Sequence, residues 1–181
     1  MTRRTPTEAL RPELIKRVIL YGILLFLTAT AQCSFFARLT ICPVTPDLML
    51  GLTLAVLLLD SPKSACVVGI AAGYLIDGLG ATGLFFSPLF YLIVTLCLAM
   101  IAQKMLPRFL SFGALLLPTL LLRALYTLLC LTIHTGGFPA LSYALPLLLR
   151  EGIVTWILCL PLYPIVRLIM IPIQSRNRFR F

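Results

Sequence analysis

The chain alternates between long apolar runs and short clusters of charged residues, prolines and glycines. The runs lack the two-residue alternation of a half-buried strand, so they predict helices. A bilayer-crossing helix takes about 20 apolar residues, within a range of about 17–25. The first predicted span runs from Val18 to Phe36, behind the basic head Arg3, Arg4, Arg11, Lys16 and Arg17. The second opens at Asp47 and runs through Leu48 to Leu59, and the third runs from Ala65, after Ser61-Pro62-Lys63, to Asp77-Gly78. The fourth covers Phe86 to Met105 and the fifth Ser111 to Ile133; the sixth starts near Leu141 and stops before the basic tail. Segments two and three are short, which leaves two tilted helices or a re-entrant pair as alternatives.

Charge placement sets the expected topology. With six crossings, twelve of the fifteen Lys and Arg fall on one side, at both chain ends and near Lys63, Lys104, Arg108 and Arg167. Cytoplasmic loops are enriched in Lys and Arg, so both termini are expected in the cytoplasm. The expected architecture is an all-α integral membrane protein with about six transmembrane helices in one bundle. A basic cytoplasmic segment covers 1–17, the bundle 18–173 and a basic cytoplasmic tail 174–181. The start also resembles a signal peptide, with Ala29-Thr30-Ala31 as an A-x-A site. A lipoprotein reading at Cys33 fails on the preceding Gln32, and a retained first helix is expected.

Composition sharpens this picture. Hydrophobic residues make up 60% and charged residues 12% of the chain, with a mean hydropathy of +1.04. Soluble domains carry about 25% charged residues, so a soluble fold would expose large apolar patches. The net charge of +9 sits where topology places it. The tail Arg176-Asn177-Arg178-Phe179-Arg180-Phe181 therefore reads as a topology anchor able to meet anionic lipid, and no nucleic-acid partner is expected.

The polar residues within the runs are the candidate chemistry. Ionisable groups inside a membrane are costly and face protein or water cavities. Arg123 lies near the middle of the fifth helix, and Arg150 and Glu151 at a similar depth in the sixth, so Arg123 and Glu151 are placed to pair. Such a pair either fixes helix register or forms a polar site for a partner or ligand. Ala65, Gly69, Gly73 and Asp77 are spaced by four on one helical face, the small-x-x-x-small pattern of close helix packing. That stripe packs either within its own bundle or against a partner. Gly78, Gly80 and Gly83 beyond it predict a tight reversal with positive φ. The six cysteines form no C-x-x-C pair and read as packing residues, with a Cys33–Cys42 disulfide at the outer face as an alternative. His134, the only histidine, is expected in a solvated loop, and one histidine cannot build a zinc site. Phosphate-loop, H-E-x-x-H and G-x-S-x-G motifs are absent. No catalytic residue, metal or cofactor is expected.

In segments two to four, Pro46-Asp47-Leu48-Met49-Leu50 opens a helix. It is followed by Gly69-Ile70-Ala71-Ala72-Gly73-Tyr74-Leu75-Ile76-Asp77-Gly78-Leu79, then Gly83-Leu84 and Pro88-Leu89-Phe90-Tyr91-Leu92. This order resembles the rod shape-determining protein MreD family over Pro43 to Met105; the remainder matches in hydropathy. The Asp60-Ser61-Pro62-Lys63 turn and Arg150-Glu151 depart from the family pattern. The resemblance implies a non-catalytic inner-membrane subunit of the bacterial cell-elongation machinery. Its partners would be the bitopic protein MreC, a peptidoglycan glycosyltransferase and transpeptidase, and, indirectly, MreB filaments. It also implies a fold like the substrate-binding subunits of energy-coupling-factor vitamin transporters. By position, Asp47, Gly69, Gly73, Asp77 and Gly83 are the residues it marks, in structural or partner-binding roles.

Two functions are therefore expected to compete. One is a scaffold acting through helix contacts with partners. The other is a small-molecule-binding transporter subunit, which needs a cavity lined by Arg123, Glu151, Asp77 and Tyr126.

Overall fold

The computed structural model describes residues 6–35, 46–80, 86–137 and 141–178. Among them every regular element is helical: α1 (Pro6–Thr30) ending in a π-helical turn (Ala31–Phe35), α2 (Leu48–Leu59), α3 (Pro62–Gly80), α4 (Ser87–Ala102), α5 (Phe109–Thr135), α6 (Leu141–Cys159) and α7 (Leu162–Arg178). Among the described residues, three stretches are long and apolar enough to cross a membrane: Ile15–Ser34, Phe109–Thr135 and Tyr143–Met170. Helices α2 and α4 are shorter apolar helices.

The bundle is built around α2. Its sequence is apolar on all sides, the pattern of a helix surrounded by protein. Every residue of α2 except Leu58 is buried, and α2 touches all six other helices. At 12 residues it is about 18 Å long, against a hydrocarbon core of about 30 Å.

Apolar burial drives helix association weakly in lipid, because acyl tails are as apolar as leucine; close contact must do more. The Ala65–Gly69–Gly73–Asp77 stripe supplies that contact inside the bundle, since all four residues are buried. A Cβ on Gly73 would sit 2.4 Å from Pro88 Cα and N, the backbone of α4. A Cβ on Gly69 would meet Thr95 Oγ1 at 3.1 Å and Thr53 Cγ2 at 3.2 Å. The stripe is thus turned toward α4 and α2 of the same chain. A Cβ on Gly51 in α2 would likewise lie 2.5 Å from Cys159 Sγ.

Several boundaries differ from the sequence reading. Helix α1 starts at Pro6, within the basic head, and α7 runs to Arg178, within the basic tail; proline favours the first helical turn and Lys, Arg and Glu are good helix formers. The sixth run is broken at Leu160-Pro161 into α6 and α7, because Pro161 has no N–H to donate. Helix α7 then buries Tyr163, Val166 and Met170, spaced by three and four on one face. The Tyr163 ring stacks on Phe112 of α5, with centroids 5.0 Å apart. Gly78 and Gly80 are helical, not part of a reversal; Gly83, Arg38 and Cys42 lie outside the described residues. His134 lies in the last turn of α5, exposed. The left-handed residue there is Gly136, φ 66°, which ends the helix as glycine commonly does.

Gly73→Ala should lower the melting temperature of the purified protein by an amount equivalent to about 1–3 kcal/mol of overpacking. Gly78→Ala, with nothing within 4 Å of its Cβ, should leave it unchanged or raised. Equal melting temperatures for the two variants would show that the α3–α4 approach is not tight.

Candidate functional site: a buried ionic cluster at the start of the central helix

A helix leaves its first four N–H groups without intrahelical partners, and those of α2 are buried. Each finds one. Asp47 N–H donates to Thr155 Oγ1 of α6 at 3.2 Å. Leu48 and Met49 N–H donate to Gln32 Oε1 at 3.0 and 3.3 Å. Leu50 N–H donates to Asp47 Oδ1 at 3.2 Å, the usual reach of an N-cap carboxylate. Gln32 is carried by the π-helical turn that closes α1.

The Asp47 carboxylate, 1% exposed, then draws in two more helices. Tyr91 of α4 donates its hydroxyl to Oδ1 at 2.5 Å. Arg123 of α5 places Nε 3.3 Å from Asp47 Oδ2 and hydrogen-bonds Glu151 Oε1 of α6 at the same distance. The guanidinium carbon lies 5.9 Å from the Phe90 ring centroid and 5.5 Å from that of Tyr126, within cation–π range. One cation is therefore held between two carboxylates and two aromatic rings. The Cys159 thiol donates to the Asp47 carbonyl at 3.6 Å, a packing role.

Two further ties use the same chemistry. Helix α4 has no side-chain cap of its own; Asp77 Oδ2 of α3 accepts from Ser87 N–H at 3.1 Å, and Ser87 Oγ lies 3.2 Å from Tyr126 Oη. At the far end of α2, Asp60 accepts from Tyr21 Oη at 2.7 Å and pairs with Arg17 at 3.1 Å. An acid is unfavourable at a helix C-terminus, and Arg17 offsets it there. The unusual Asp60 turn thus pins α1 to the α2–α3 junction.

The structure brings Asp47, Arg123 and Glu151 into one cluster and leaves Arg150 outside it. Arg150 is exposed on α6, because successive helix positions turn by about 100°. Asp77 sits one helix away, at the α3–α4 contact. Depth along two helices sufficed to match Arg123 with Glu151. Missed were Asp47 as the shared partner of Arg123, along with Gln32, Tyr91 and Thr155. The available signals were polar residues set in apolar helices and the Pro-Asp-Leu helix start.

Among the described residues, no three His, Cys, Asp or Glu side chains are grouped to hold a metal. Among the described residues, one apolar cleft lies between α5 and α6 beside Thr127 and Leu148 and another beside Gln32 and Leu75; neither has room for a water molecule. Neither is lined by Arg123, Glu151 or Asp77. Comparison with protein families, curated proteins and solved structures finds no match for the chain.

Tyr91→Phe should cost about 1.5–3 kcal/mol, the worth of a hydrogen bond to a charged group. Arg123→Leu, which leaves two carboxylates without their cation, should cost about 3–5 kcal/mol. Thermal unfolding in mild detergent measures both, and a wild-type melting curve for Arg123→Leu would mean that the cation does not hold the cluster.

Proposed function

We propose that the chain is a non-catalytic membrane subunit of the bacterial cell-elongation complex, a relative of MreD. In this reading it crosses the inner membrane six times with both termini in the cytoplasm. It helps maintain rod shape by scaffolding peptidoglycan synthesis through helix contacts with MreC and with the glycosyltransferase and transpeptidase, and so indirectly serves MreB filaments. The observation that carries the reading is how the buried polar side chains are used. Asp47, Asp77, Arg123 and Glu151 bond to other helices of the same chain. That pattern suits a rigid body that works through its outer surface. The ordered motifs from Pro46 to Leu92 support it as well, since Asp47, Gly69, Gly73 and Asp77 all serve the α2–α3–α4 core.

The alternative, a vitamin-type transporter subunit, needs a polar-lined cavity of about 300–1,000 Å³. The described clefts beside Thr127 and beside Gln32 expose apolar surface and are lined by none of Arg123, Glu151 and Asp77.

Affinity purification from native membranes in mild detergent, followed by mass spectrometry, should recover MreC with a cell-wall glycosyltransferase or transpeptidase. Recovery of a transporter membrane subunit with paired ATPases would replace the reading. A fluorescent protein fused after Phe181 should fluoresce, as cytoplasmic fusions do; a dark fusion with an active periplasmic reporter would contradict six crossings.

A further inference from the structure

Among the described residues, Arg150 is a charge with no counterpart. It lies seven residues into the Tyr143–Met170 span, about 10 Å along the axis at 1.5 Å per residue, inside a hydrocarbon core about 30 Å thick. Its neighbour Glu151 is committed to Arg123 on the inner face. Arg150 itself is exposed and has no hydrogen bond or ion pair among the described residues. Around it stand Leu145, Leu149, Ile153 and Ile157, each 54–58% exposed. Acyl chains cover such leucines without cost, but they cannot solvate a guanidinium, so an arginine inside the hydrocarbon core is costly unless it is paired.

We infer that the outer face of α6 around Arg150 is a docking surface for a membrane helix of another protein that carries a carboxylate at the depth of Arg150. The charge selects the occupant. A guanidinium presents a planar fork of donors that a carboxylate matches with two parallel bonds. A second copy of the chain is a poor occupant, because its described carboxylates are engaged internally. Asp47 and Glu151 face Arg123, Asp60 faces Arg17, and Asp77 caps α4. A lipid phosphate would have to sit about 10 Å below its own headgroup layer to meet Arg150 at its own depth. The leucine and isoleucine side chains flanking Arg150 would supply the apolar contact along the partner helix. The inference rests on the membrane placement of α6 and not on the identity of the complex.

The experiment places a photo-crosslinking residue at Leu149 or Ile153 of the full chain in its native membrane, with Leu121 and Leu125 of α5, 69% and 63% exposed, as controls. The expected result is an adduct from the α6 sites and not the α5 sites, mapped to a membrane helix containing Asp or Glu. That adduct should fall at least tenfold in Arg150→Leu and Arg150→Gln, persist in Arg150→Lys, and return when Arg150→Glu is combined with a Lys in place of the partner's carboxylate. Melting temperatures near wild type for these variants confirm that the bundle is intact. Lipid adducts alone, an adduct only to a second copy, a partner helix without an acid, or an adduct indifferent to Arg150→Gln would each overturn the surface. If the tagged chain recovers MreC but the α6 sites give no adduct, this surface fails alone. An adduct to an acid-bearing helix from outside the elongation machinery would uphold the surface and count against the elongation reading.

Discussion

The organisation of this protein depends on starting a helix where no water can solvate its first turn. A buried N–H without a partner costs about 1–3 kcal/mol, and the first turn of α2 presents four. Three come from Asp47, Leu48 and Met49 and are met by Thr155 and Gln32. The fourth is met by Asp47's own side chain. A carboxylate buried for that purpose must itself be neutralised, which brings in Arg123. Arg123 in turn holds Glu151. The requirement of a single helix end therefore fixes the relative positions of α1, α2, α4, α5 and α6.

The same logic explains why the close contacts lie where they do. In lipid, helices gain little from burying leucine, so backbone approach and polar ties must supply the specificity. Gly73 lets α3 reach the backbone of α4, and at that contact Asp77 caps α4. Gly51 lets α2 meet Cys159, a residue whose thiol also donates to the Asp47 carbonyl. Steric and polar constraints thus coincide at both junctions, and a shift at either would strain both at once.

Much of this was legible in the chain and some was not. Long apolar runs mark the helices because their length and lack of alternation admit little else. The depth of Arg123 and Glu151 follows from counting residues along two helices, since the rise per residue is constant. The direction in which a helical position points depends on rotation, and counting says nothing about that; this is why Arg150 and Glu151, adjacent in sequence, proved opposite in environment. The role of Asp47 needed contacts 44 to 112 residues distant, from Tyr91 to Cys159, which no local pattern encodes. The break before α7 was readable in Pro161, but the hydropathy of the run continues through it.

The wide sequence separation of these contacts has a consequence for synthesis. Asp47 leaves the ribosome 108 residues ahead of Thr155. At about 5–20 residues per second, the Asp47 N–H waits about 5–20 s for its acceptor. Until Arg123 emerges, 76 residues behind, the early helices hold an unneutralised carboxylate, and until Thr155 emerges they hold an unpaired N–H. The nascent chain therefore cannot settle helix by helix as it emerges. Its final packing begins only when the sixth apolar run arrives, and until then the early segments depend on water or on the insertion machinery to cover Asp47.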